Sequence, residues 1–285
     1  MDKLTSDVNA LTALINTHLL ILALTTKINS EGSAIYSEQK LVCSLLQPVI
    51  KVVTPMSLAA GGSVESIMKL TNVPSGSARD CYPIARSVVE TMINASYVLA
   101  CGTDVANQAI RHAKQKYHRD MDRTFGGGEY SLRLHAVGIE DRNLSEELAT
   151  AILEFTSKKG REKNWTEKSV TERIFVVGDK LSDVVAYELL GAYAIVYGDA
   201  SEITHGSLYG INLFFFGREK TPCSLSDFVD VTKNHVRGIY FALFFALSAF
   251  IRATCSVQKH QVLIDLVNIQ TEKFKSILVD DQPII

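Results

Sequence analysis

Residues 238–251 read GIYFALFFALSAFI, fourteen positions without a charge between Arg237 and Arg252. A helix of that composition is apolar on every side and has no face to offer water. A bilayer span takes about 20 such residues, so the stretch is short for a membrane and predicts a helix buried in a core or between two copies of the chain. Whatever surrounds it must be layered around it. Only 17 Gly and 6 Pro occur in 285 residues, few for a fold made of strands and tight turns, and 47% of the chain is hydrophobic. The expected fold is all-α, a multi-helix bundle in one domain over 1–285.

Apolar residues recur at helical spacing through Leu4, Val8, Leu11, Leu14, Ile15, Leu19 and Leu22, which predicts a first helix over about 4–28. A second is expected over 36–53, bent or bounded at Pro48 and ended at Thr54-Pro55. Residues 57–72 read as a short helix broken at Gly61-Gly62, with 74–80 as a connector into a long apolar helix over 81–101. Pro83 fits there if it lies in the first turn. Thr103 or Asp104 should cap a helix running to about 124, stopped by Gly126-Gly127-Gly128, and 129–142 read as loop. Asn143 or Ser145 opens a helix to about 158. Further helices are expected over 167–177, 183–205, 225–257 and 259–278. The N-terminal 1–56 pack on a core at 57–215, and 216–285 form a helical hairpin.

Charge is nearly balanced, 29 Lys and Arg against 31 Asp and Glu, so any nucleic-acid contact has to be local. Five scattered cysteines, none in a CxxC pair, give neither a disulfide framework nor a zinc site and suit a reducing compartment. The N-terminal apolar run follows polar residues and ends without a small-residue cleavage site, so a cytoplasmic chain with no membrane span is expected. FGGGEY lacks the Lys-Ser/Thr of a phosphate loop, and no GxSxG elbow occurs. His18, His135, His235 and His260 have no ligand companions. No metal and no cofactor are expected.

Two polar stripes interrupt apolar helices. Arg86, Glu90, Asn94 and Tyr97 follow one another at i, i+4, i+8 and i+11 among Ile84, Val88, Val89, Met92, Ile93 and Val98. Tyr193, Tyr197, Ser201 and His205 step by four in a second helix, with Gly206 as a natural stop. The plain readings are an intrahelical ion pair and a histidine at a helix end. Polar groups inside apolar helices nonetheless need partners, so the two stripes are expected to face one another. Separately, 111–123 and 158–168 hold ten Lys and Arg against four Asp and Glu, and they include RHAKQKYH with its Arg111-x6-His118 spacing. Arg111, Lys114, His118, Lys159 and Arg161 are the expected RNA-binding residues, with a pair of solvated surfaces as the alternative.

The Arg-x3-Glu helix after a small-residue connector, the turn NWTEKSVTERI and the later Tyr-x3-Ser-x3-His-Gly-Ser resemble DUF5677, a bacterial family of unknown function, over roughly 60–215. That family is similar to HEPN-type helical bundles, many of which are metal-independent ribonucleases or toxins in phage defence. The resemblance implies an HEPN-like central core and a site of Arg86, Glu90, Tyr197, Ser201 and His205. His205 would act as general acid or base on a ribose hydroxyl or leaving oxygen, Arg86 would hold the phosphate, Glu90 would orient Arg86 or His205, and Tyr197 and Ser201 would donate hydrogen bonds. The partners it implies are RNA, a second copy and a partner protein of a defence system. The alternative is a non-catalytic helical sensor or protein-interaction module, in which the same residues brace two helices.

Overall fold

The computed structural model describes residues 3–31, 45, 47–72, 77–135, 145–216 and 224–279. In chain order the elements are α1 (Lys3–Glu31), α2 (Gln47–Leu70), α3 (Ser77–Cys101), α4 (Thr103–Asp120), β1 (Asp122–Gly127), β2 (Tyr130–His135), α5 (Glu146–Phe155), α6 (Val170–Lys180), α7 (Asp183–Thr204), α8 (Leu208–Phe216), α9 (Leu225–Gln258) and α10 (Gln261–Val279). It is an all-α bundle with one small antiparallel hairpin.

The apolar run at 238–251 lies in the middle of α9, and α1, α3 and α7 pack around that helix. Ala242, Leu243, Phe244, Ala246, Leu247, Ala249, Phe250 and Ile251 are all fully buried. Each large side chain among them contributes about 1.5–3 kcal/mol by leaving water. By length and composition α1 and α9 are both long and apolar enough to cross a membrane, because α9 extends well beyond the fourteen-residue run. In α9, 83% of that window is buried inside the protein, against 39% in α1. The burial of α9 is that of a core helix.

Several polar groups in this core pair across helices. His18 on α1 donates from Nδ1 to the Leu14 carbonyl at 3.0 Å and accepts the Ser248 hydroxyl at Nε2 at 2.8 Å. Burial drives its pKa down to about 4, which keeps the ring neutral. Arg252 ends the apolar run by bonding Glu188 of α7 at 3.0 Å, with Asn268 and Thr271 of α10 taking its other nitrogens. Tyr82 donates to His235 Nδ1 at 2.7 Å, and that ring's other nitrogen donates to the Leu213 carbonyl.

Several local expectations are corrected. Thr54-Pro55 does not end a helix, and Gly61-Gly62 does not break one: α2 runs through both, with Pro48 in its first turn. A Cβ at Gly61 would meet Leu22 Cδ2 at 3.5 Å, so α1 packs close over that glycine and the helix is kept by tertiary contact. Pro83 lies beyond the first turn, since α3 begins at Ser77. α4 stops at Asp120, and 122–135 fold into β1 and β2, paired from Asp122 with His135 to Gly127 with Tyr130. Gly126 and Gly128 take positive φ at the turn of that hairpin. The expected N-cap at Thr103 or Asp104 is Gly102 instead, whereas Ser145 does cap α5. Asn143 and most of the expected 36–53 helix before Gln47 lie outside the described residues.

Candidate functional site

Two contacts set the register of α3 against α7. The Arg86 guanidinium lies 4.1 Å from the centre of the Tyr197 ring, and Arg79 Nη2 donates to the Ile203 carbonyl at 3.4 Å. Residue numbers rise along one helix as they fall along the other, so the pair is antiparallel. The two polar stripes meet at Arg86 and Tyr197, whereas the His205 end of the second stripe is away from the first.

Within this seam Arg86 bonds Glu90 at 2.9 Å from Nε while its cationic plane covers Tyr197. Tyr197 lies against Tyr193 with ring centres 4.3 Å apart. Burial, then the neighbouring Tyr197, holds the Tyr193 phenol above its ordinary pKa. Arg173 of α6 donates to Asn94 Oδ1 and lies 5.8 Å from the Trp165 ring. That ring meets Tyr97 edge-on at 5.9 Å. Burial lowers the Arg173 pKa, and Glu90, Tyr97 and Tyr193 work against the shift by stabilising its charge.

The cluster therefore spans three helices. From α3 come Arg86, Glu90, Asn94 and Tyr97, from α7 Tyr193 and Tyr197, and from α6 Arg173, with Trp165 closing one end. Arg173 is absent from the expected set. Two signals pointed to it: it stands in NWTEKSVTERI, and it directly follows Glu172 of the Ser169-x-x-Glu172 capping box that starts α6.

His205 is placed elsewhere. It follows the last turn of α7 and is exposed, eight residues beyond Tyr197, or about 12 Å along the axis. The end of α3 nearest to it carries Arg79 rather than Arg86. Ser201 lies between, half-buried, and its carbonyl accepts the His205 N–H at 3.0 Å.

The expected RNA-binding residues lie on α4 and the turn after α5. Arg111 makes a two-pronged pair with Glu154 of α5 at 2.7 and 2.9 Å, and Lys114 bonds Glu147 at 2.6 Å. Arg119 pairs with Glu162, which also lies near Lys116 and His112. His118 is half-buried near the end of α4, and Lys159 and Arg161 are exposed in the turn that Ser157 and Arg161 close with a 2.7 Å backbone bond. α4 leaves the opposite end of α3 from the end that His205 adjoins. Among the described residues no group of three or more His, Cys, Asp and Glu is placed to hold a metal ion.

The family described as a family of unknown function, DUF5677, matches residues 60–221, a span that takes in the whole α3/α6/α7 cluster, the hairpin and His205. No curated protein and no solved structure matches the chain.

Proposed function

Because the chain belongs to the DUF5677 family, whose function is unknown, we propose a function from its own geometry: a non-catalytic, cytoplasmic, helical protein-interaction module. One observation carries this reading. The polar residues where α3, α6 and α7 meet are engaged with one another, Arg86 with Glu90 and the Tyr197 ring, Tyr193 with Tyr197 through their rings, and Asn94 with Arg173. A general acid or base needs an open position beside the group it serves, and the histidine that would fill that role lies two helical turns away. The stripes then brace α3, α6 and α7 into a rigid platform.

The HEPN-like reading, a metal-independent ribonuclease or toxin in phage defence, has support of its own in the Arg79 contact. Arg79 reaches the last turn of α7 two residues before exposed His205, so a cation and an imidazole come to the same open helix end. In that arrangement Arg79 replaces Arg86 as the phosphate-holding residue.

Expression of wild type beside His205→Ala in a bacterial host, with growth and total RNA integrity followed together, separates the two. The module reading expects intact RNA and equal growth for both. RNA breakdown that disappears with the histidine overturns it in favour of the ribonuclease.

A further inference from the structure

The β1–β2 hairpin is sharply two-faced. Strand alternation puts Arg123, Phe125 and Gly127 of β1 on the same side as Leu134, Leu132 and Tyr130 of β2. The opposite side carries Asp122, Thr124, Ser131, Arg133 and His135, and its charges are settled internally: Arg133 grips Asp122 with two bonds of 2.7 and 2.6 Å. The first side is apolar and open, with Phe125, Tyr130, Leu132 and Leu134 exposed by 42%, 88%, 60% and 53%. A two-stranded ribbon by itself is marginally stable in water, and one that turns four large apolar side chains outward is less so.

We propose that this face packs on the same face of a second copy of the chain, about a two-fold axis perpendicular to the strands. The inference rests on the reading of the chain as an interaction module and names the partner. The pattern of the face is self-complementary about that axis. Phe125 and Leu132 form the middle rung and meet their own equivalents. The base rung of one copy falls over the tip rung of the other. Arg123, the longest side chain of the face, then lies over Gly127, which has none, and Leu134 lies on the Tyr130 ring.

Charge selects the same arrangement. Arg123 is the face's one charged residue, and its guanidinium sits 4.7 Å from the Phe125 ring centre, with Asp120 at 3.5 Å offsetting only part of its charge. With base over tip, the two Arg123 Cα positions are four residues apart along the ribbon, about 14 Å at strand rise and beyond the screening length of about 8 Å. Base over base would bring the two cations together.

The open side chains amount to on the order of 400 Å² per copy, judged from side-chain areas of about 150–250 Å² for aromatic residues. Stable interfaces bury about 800 Å² per partner, so the dimer is a weak one, with a dissociation constant of roughly micromolar or higher.

Two measurements on the full chain test the proposal. In sedimentation velocity over a concentration series, wild type should shift from monomer towards dimer, and Leu132→Asp, which sets two carboxylates on the axis, should remain monomeric with an unchanged far-ultraviolet circular dichroism spectrum. Under mild oxidation Phe125→Cys and Leu132→Cys should form covalent dimers well above the wild-type background, while Thr124→Cys on the polar face should not. A wild-type chain that stays monomeric to about 1 mM overturns the second-copy assignment, as it would if the face took a different protein. Equal cross-linking through Thr124→Cys overturns it too. RNA breakdown dependent on His205 would overturn the module reading instead, so the two failures are distinct.

Discussion

The middle of α9 and the segment from α4 to α5 are held together by different forces. In α9 nearly every residue from Ile239 to Cys255 is buried, and its polar members are bonded inside the core. In α4 only Ala106 and Gln115 are buried, and every residue of β1 and β2 is exposed. α5 contributes Ala151 and Phe155. What α4 and α5 share instead is a row of ion pairs, Arg111 with Glu154 and Lys114 with Glu147, with Arg119 pairing to Glu162 in the turn beyond α5. Apolar burial is indifferent to salt and costly to interrupt, whereas partly exposed ion pairs are weak one by one and screened. One chain thus has a rigid centre and a more easily opened flank, and that flank carries the hairpin.

The largest effect should come from the centre. Phe244 is fully buried, stacked on Phe274 at 4.4 Å between ring centres and edge-on to His18 at 4.6 Å. Phe244→Ala removes an aromatic ring from a close-packed site and should cost about 3–5 kcal/mol, read as a lower midpoint in urea. A loss below about 1 kcal/mol would mean that the centre is as loose as the flank.

Next in size is a pH effect confined to the same centre. His18 has a folded pKa of about 4, below its ordinary 6.5, so its contribution is present above pH 6.5 and is lost as pH falls towards 4. Integrated over that shift it amounts to about 3 kcal/mol. Glu188 has the opposite sign. Burial pushes its carboxyl up to about 7 despite Arg252, so its contribution is present below the ordinary value of 4.5 and is lost as pH rises towards 7. Between pH 6.5 and 4.5 the two offset one another in wild type. Glu188→Gln keeps an acceptor for Arg252 and removes the second titration, so its stability should fall more steeply than wild type as pH drops through this window. Parallel pH profiles for the two proteins would show that one of the shifts is absent.

How far these regions could be read from sequence follows the same division. The α9 run was legible because an apolar segment of that length has no alternative to burial. The meeting of the two stripes at Arg86 and Tyr197 was legible for a related reason, since a polar residue in an apolar helix must find a partner. Arg173 escaped because its partner Asn94 is 79 positions away, and no local pattern encodes such a pairing. α2 was misread at Gly61-Gly62 because the intrinsic cost of a helical glycine, about 1 kcal/mol, is outweighed by packing against α1. The hairpin was misread for the opposite reason. Its alternation of Tyr130, Leu132 and Leu134 with Ser131, Arg133 and His135 was present beside a glycine run, but exposure on all sides left no core to corroborate it. His205 was matched by spacing along α7, and spacing alone could not show that the end of α3 beside it offers Arg79.

The smallest expected effect belongs to the flank. Arg111 and Glu154 are each about a third exposed, at 33% and 32%, so their two-pronged pair contributes about 0.5–1 kcal/mol and no more. Arg111→Ala should leave the midpoint of global unfolding nearly unchanged, because the α9 core sets that transition. The change should appear instead in hydrogen exchange of the α5 amides, where protection falls by about two- to fivefold, the factor that corresponds to that energy. Raising salt from about 0.1 to 1 M shortens the screening length from about 10 to 3 Å, and it should lower α5 protection in wild type while leaving α9 unaltered. In Arg111→Ala the salt effect should be smaller, since one of the screened pairs is already gone. If α5 protection is as indifferent to salt as that of α9, the flank is held by burial of Ala151 and Phe155, and the contrast between the two regions is one of degree.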